Sequence, residues 1–294
     1  MSETLVEDDT LEIDVEDIEN VLSGVRIPPQ PSILSDIQSE QNQPTPDLKK
    51  ISDLISKDIG LSAAVLKTIN SPFYGISKPI DSVQRAVFLL GIANVSTIVT
   101  GIIVRETLSG KACVPLERFW ESATDSANIS MFLAKKYYLQ NAEEMYTLGL
   151  FHDCGIALLA QKFDNYKDVL KEGNSETELP ITDIEDRLLE TNHATIGYYV
   201  SKSWTLPQTC TDIILDHHNN ERMFLEGEEH QTRNQMMALV KFSDHLSHTY
   251  RRLAEDHEWE RVKSRVLGEL EISDEEYDDV KEEVHVLLQQ QAAG

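Results

Sequence analysis

The sequence predicts an all-helical protein built in two lobes, and three observations lead there. From Ser32 onward the apolar residues recur at helical spacing, as in Ile51, Leu54 and Ile55 and then Leu61, Val65, Leu66 and Ile69. No long alternation of apolar and polar residues marks a half-buried strand. All nine histidines fall at or after residue 152, which separates a first stretch without metal-ligating imidazoles from a second that is rich in them.

Residues 1–26 carry nine acidic side chains before Arg26, the first basic one, with Leu5, Leu11, Ile13, Val15, Ile18 and Val21 interspersed. Such a segment is either an unstructured, flexible tail or a short amphipathic helix docked on the body. Ile27-Pro28-Pro29-Gln30-Pro31 then interrupts any helix, because proline removes amide donors and biases its predecessor toward extended geometry. A folded domain is expected from residue 27. Thr45-Pro46-Asp47 reads as a helix start, Asn70-Ser71-Pro72 as a helix end, and Gly75 as a turn leading to Pro79. Further helices are predicted over 81–108, 115–138, 140–158, 162–171, 181–203, 207–218, 231–255 and 258–292. Gly110 to Pro115 reads as the joint, giving an N-terminal lobe over 27–112 and a second lobe over 113–255. Asn219 to Asn234 reads as a polar, mobile loop. Residues 256–294 form an acidic extension that Leu267, Leu270, Ile272, Tyr277, Val280, Val284 and Leu287 should pack onto the body.

At 294 residues and 40% hydrophobic content the chain can bury a normal core without staples. Cys113, Cys154 and Cys210 are odd in number and far apart, so neither a disulfide framework nor a thiolate zinc site is indicated. The start lacks a basic and apolar leader pattern, and no stretch is expected to supply the ~18 uncharged apolar residues of a membrane span, so a cytoplasmic protein is expected. A net charge of -25 repels phosphate backbones and anionic lipid. The expected partners are therefore proteins, not nucleic acid or membrane, and no oligomeric state is indicated.

The run from Ile59 to Gly75, with Ala63, Ala64, Asn70, Ser71, Phe73 and Tyr74, leads into Ile80-Asp81-Ser82-Val83-Gln84-Arg85 and on to Leu90-Gly91. With Leu148-Gly149-Leu150-Phe151-His152-Asp153-Cys154-Gly155, Asn192-His193-Ala194-Thr195-Ile196-Gly197, Trp204-x-Leu206-Pro207 and His217-His218, it closely resembles the HDOD family over about residues 27–250. That family is a degenerate relative of the HD and HD-GYP metal-dependent phosphohydrolases, so the resemblance implies an all-α HD-like architecture and a signalling role. Locally, Asn70 and Ser71 can bond backbone at a helix end, Phe73 and Tyr74 supply an apolar anchor, Gly75 permits positive φ and Ser82 caps the next helix. This turn is read as a joint between the lobes, with a peptide-binding hot spot as the other reading.

In HD phosphohydrolases a histidine, a His-Asp pair and a distant aspartate converge on a divalent ion. Imidazole and carboxylate suit manganese, iron, nickel or magnesium. The resemblance places His152 and Asp153 at the pair, Asp244 at the distant acid, and His193, His217 and His218 in the order of the extra histidines of the two-metal branch. The first ligand is lost, because Ser122 stands where that histidine belongs and a hydroxyl is a poor ligand. Asp125, one turn on, is a candidate substitute. No Gly-Tyr-Pro follows Cys154-Gly155, and Lys162 and Lys241 are the basic residues nearest the motif in sequence. Either these side chains are a hydrogen-bonded remnant tying helices together or they still hold a metal. Cys154 reads as a packing residue rather than a nucleophile. The expected function is a non-catalytic regulatory module that binds protein; the alternative is a phosphohydrolase acting on a nucleotide or cyclic dinucleotide.

Overall fold

A computed structural model describes residues 21–139, 142–252 and 256–293. Among them there are helices and no strand. The acidic segment falls outside the described residues up to position 20. Its end does not wait for the prolines to pack: Leu22 and Val25 are buried, and Ser23 Oγ donates to the Glu190 carbonyl at 3.3 Å.

The first lobe comprises α1 (Ser32–Gln41), α2 (Leu48–Ser56), α3 (Ile59–Ile69) and α4 (Val83–Leu108), with a 3-10 turn over Pro72–Tyr74. Asp47, Asp58 and Ser82 cap α2, α3 and α4 by accepting from backbone amides of the first turn. Asn70 accepts from Ile80 N and donates to Ile80 O, each at 2.8 Å, which closes the loop between α3 and α4. Gly75 sits at φ 60, a turn conformation that costs other residues strain. Phe73 is buried edge-on against Phe132, and the Lys135 ammonium lies over the Tyr74 ring. The turn is thus packed against the rest of the molecule.

The helix α4 departs from two expectations. Gly91, at φ 81 and ψ 166, breaks it after its second turn. The run 86–104 is uncharged, so the helix is long and apolar enough by composition to cross a membrane, contrary to the sequence expectation. Here Val87, Val95, Ile98, Val99, Val104 and Leu108 are buried as α4 packs on α2 and α3 and on the second lobe.

The second lobe runs through α5 (Leu116–Lys136), α6 (Ala142–Phe151), α7 (Cys154–Lys162), α8 (Tyr166–Gly173), α9 (Ile181–Leu189), α10 (His193–Ser203), α11 (Gln208–Asp216) and α12 (Gln231–Arg252). The helices α5, α6 and α12 pack together as its centre. The extension adds α13 (His257–Glu269) and α14 (Asp274–Ala293), with Leu267, Leu270, Ile272, Tyr277, Val280 and Val284 buried against the body. One apolar core runs continuously from Leu22 to Leu288 through both lobes.

Three predicted helices are each two. The segment 140–158 divides at His152-Asp153. The segment 181–203 divides at Glu190, which has φ 60, and restarts where Asn192 Oδ1 accepts from Thr195 N at 2.8 Å. The extension divides at Glu271, at φ 55, and restarts where Ser273 Oγ accepts from Glu276 N at 3.2 Å.

Candidate metal centre

Three helix boundaries and one helix interior bring the histidines and aspartates together. His152 and Asp153 occupy the break between α6 and α7. His193 opens α10, His217 and His218 follow α11, and Asp244 projects from α12. Gly155 makes this possible, since a Cβ there would lie 2.1 Å from the His193 carbonyl oxygen. Asp153 stands at the N-cap of α7 without capping it, and its carboxylate turns to the imidazoles.

Its two oxygens serve different groups. Oδ2 lies 3.4 Å from His152 Nε2, which is 3.8 Å from Asp244 Oδ1. Oδ1 lies 3.4 Å from His193 Nε2 and 3.1 Å from His217 Nε2. Ligand atoms about 2.1 Å from one ion are separated by roughly 3.0 to 3.4 Å across octahedral or tetrahedral edges, so these spacings suit coordination. Two such sets share Asp153: one with His193, His217 and His218, the other with His152 and Asp244.

The protons are arranged to leave lone pairs inside. His152 Nδ1 donates to the Gly149 carbonyl at 2.8 Å, and His217 Nδ1 to the Ile214 carbonyl at 2.6 Å. Carbonyls only accept, so in the neutral rings both Nε2 atoms are unprotonated. His193 Nδ1 donates to Glu185 Oε2 at 2.6 Å, and the same oxygen accepts from His193 N at 2.9 Å. This is the outer support that metal-bound histidines use. His152 Nε2 is buried without a hydrogen-bond partner, and His193 Nε2 faces His217 Nε2 at 3.4 Å. Two facing lone pairs repel unless a proton or a cation lies between them and the nearby carboxylate. The residues present therefore fit a divalent ion.

Without a cation, a proton takes its place among these groups. Burial opposes ionisation of Asp153, but the imidazoles around it hold its carboxyl well below the usual range. Burial likewise disfavours imidazolium at His193, yet Glu185 and Asp153 push it up to about 10. Burial and then His218 press His217 well down. Burial raises the Cys154 thiol, which fits packing and not nucleophilic attack.

Ser122 lines the cleft that opens onto His152, Asp153, His193, His218 and Asp244, a cavity of about 1620 Å³ between the lobes. Asp125 does not replace the lost ligand. It is buried and taken by Arg251 Nε at 2.5 Å and Gln291 Nε2 at 3.2 Å. Four contributors escaped sequence reasoning in this role. Glu185 bonds His193 and the Tyr166 hydroxyl, and Glu258 Oε1 bonds His218 Nδ1 and the Lys241 ammonium, each at 2.8 Å. Lys241 was legible only as the nearest basic residue; the others carry no local signal.

The HDOD domain matches residues 27–220. The chain belongs to the HDOD family. Asp244 and Glu258 lie beyond the matched stretch of this HDOD protein. Its fold resembles that of an HDOD domain protein from Geobacter sulfurreducens, at 26% identity and TM-score 0.71 over 95% of this chain and 98% of that one. A Shewanella amazonensis SB2B protein provisionally named a phosphohydrolase shares the fold at 20% identity and TM-score 0.68, covering 92% and 95%. So does a Marinobacter aquaeolei VT8 protein provisionally named for signal transduction, at 22% and TM-score 0.66, covering 92% and 59%. An uncharacterised Treponema pallidum protein is 26% identical over 198 residues, 66% of this HDOD chain but only 38% of that protein.

Proposed function

We propose that this HDOD protein is a regulatory module of a signalling system, that it holds a divalent cation at the histidine–aspartate centre, and that it binds a protein partner without turning over substrate. The cation reading rests on one observation above the rest: His152 Nε2, buried and outside any hydrogen bond, faces Asp153 Oδ2 at 3.4 Å and Asp244 Oδ1 at 3.8 Å while its Nδ1 is fixed on Gly149 O. An imidazole lone pair and two carboxylate oxygens that converge at these spacings without a hydrogen bond among them are placed as donors around one ion. His152, Asp153 and Asp244 would hold one ion and Asp153, His193, His217 and His218 a second; manganese, iron, nickel and magnesium suit these donors.

When bound, such an ion supplies Lewis acidity and favours ionised water, the chemistry of a phosphohydrolase. Two features oppose turnover. Ser122 leaves the first ligand position without a donor of affinity. The Lys241 ammonium, which reaches the cluster, is already neutralised by Glu258 rather than open to a phosphoryl group. A cytoplasmic setting belongs to the same reading, supported by the three free thiols. The wide cleft onto the centre favours the second reading, a phosphohydrolase acting on a nucleotide or cyclic dinucleotide.

Metal analysis of protein purified without chelator, with a phosphodiester assay, tests both. Bound metal without turnover is expected. Metal-free protein would support the polar remnant instead, and turnover abolished by Asp153→Ala would establish the enzyme.

A further inference from the structure

The C-terminal extension lies outside the matched HDOD region, yet its first turn enters the metal centre. Asp256 caps α13 through Trp259 N at 3.1 Å and bonds His245 Nδ1 at 2.9 Å. Trp259 stacks on the His245 ring at 4.1 Å between centroids. These contacts pin the start of α13 on α12, the helix that carries Lys241 and Asp244. Glu258, between the two anchors, is thereby directed at His218, whose ring lies 4.2 Å from that of His217 and 4.9 Å from that of His193.

We infer that Glu258 is a positioning residue of the metal centre: it fixes the His218 imidazole with its proton on Nδ1, leaving Nε2 as the lone pair His218 offers to a cation. A carboxylate can only accept, so the 2.8 Å contact with His218 Nδ1 assigns that proton to the histidine. The same oxygen cancels the Lys241 ammonium, which is 6% exposed and would otherwise set an uncompensated positive charge beside the imidazoles. In this chain the centre is complete only with the extension in place. The inference rests on the cation reading of the site.

Cobalt(II) titration of the full-length protein tests it in a Lys241→Met background, which removes the stranded ammonium that Glu258 variants would create. Adding Glu258→Ala should weaken cobalt binding about 10- to 100-fold, and adding Glu258→Gln, whose amide oxygen still accepts from Nδ1, should restore most of it. Equal affinity for Lys241→Met with and without Glu258→Ala overturns the inference, provided far-UV circular dichroism shows both folded. If neither wild type nor Lys241→Met binds cobalt, the cation reading falls separately. Imidazole nitrogen-15 spectra of the metal-free protein then decide the positioning role. A single Nδ1–H tautomer at His218 that becomes mixed in Glu258→Ala sustains it, and an unchanged tautomer overturns it.

Discussion

At the residue scale, Ser122 limits the proposed metal centre. Its side chain faces the cleft on α5 while its backbone carbonyl accepts from Ser247 Oγ of α12 at 3.4 Å, so the position is held close to the helix that carries Asp244. Ser122→His should tighten divalent binding at the His152–Asp244 set by an order of magnitude or more, read by manganese titration; no gain would show that α5 cannot present a ligand there. His152, Asp153, His193, His217, His218 and Asp244 were legible because few residue types ligate metal and a His-Asp dipeptide followed by spaced histidines is a distinctive order. Glu185 and Glu258 were not. Each is one acid among 51, and only the folded chain shows which of them faces an imidazole.

At the scale of elements, the helices were legible from period and caps, whereas several of their breaks were not. At His152-Asp153 no proline ends the helix, and Asp153, although an N-cap type, does not stand out against the helical period on both sides. The break exists because Asp153 must face His152 on one side and His193 and His217 on the other, a tertiary demand that propensity does not record. Gly155 is where α7 and α10 meet, and its substitution tests that packing. Gly155→Ala should cost about 3 kcal/mol or more, because backbone must move to admit the Cβ. It should also release cobalt more readily by displacing His193. Chemical denaturation and metal titration check the two effects independently, and a variant as stable as wild type would mean the α7–α10 approach is looser than described.

For the molecule as a whole, the two stretches that the first histidine separates in sequence share one core. Residues 1–20 combine charge repulsion with few apolar side chains, so a cut after residue 20 should barely move the melting temperature. A cut after residue 26, which also removes Leu22 and Val25, should lower it by several degrees. Equal melting temperatures for the two would show that these side chains add nothing.

The two ends of the described residues cross over. Trp204 Nε1 of the second lobe donates to the Pro28 carbonyl at 2.9 Å, and Gln30 Nε2 donates back to the Trp204 carbonyl at 3.1 Å. At the other end, α14 rests on the Phe73 turn of the first lobe, and Gln291 Oε1 accepts from Asn128 of α5 at 3.3 Å. Each lobe is thus gripped by chain that belongs to another part of the molecule, a mutual embrace rather than a pair of jaws. Opening the cleft as a hinge would require both grips to let go at once. A change at the histidine–aspartate cluster would instead reach the surface as small sliding shifts of packed helices, reshaping a face rather than opening a gap.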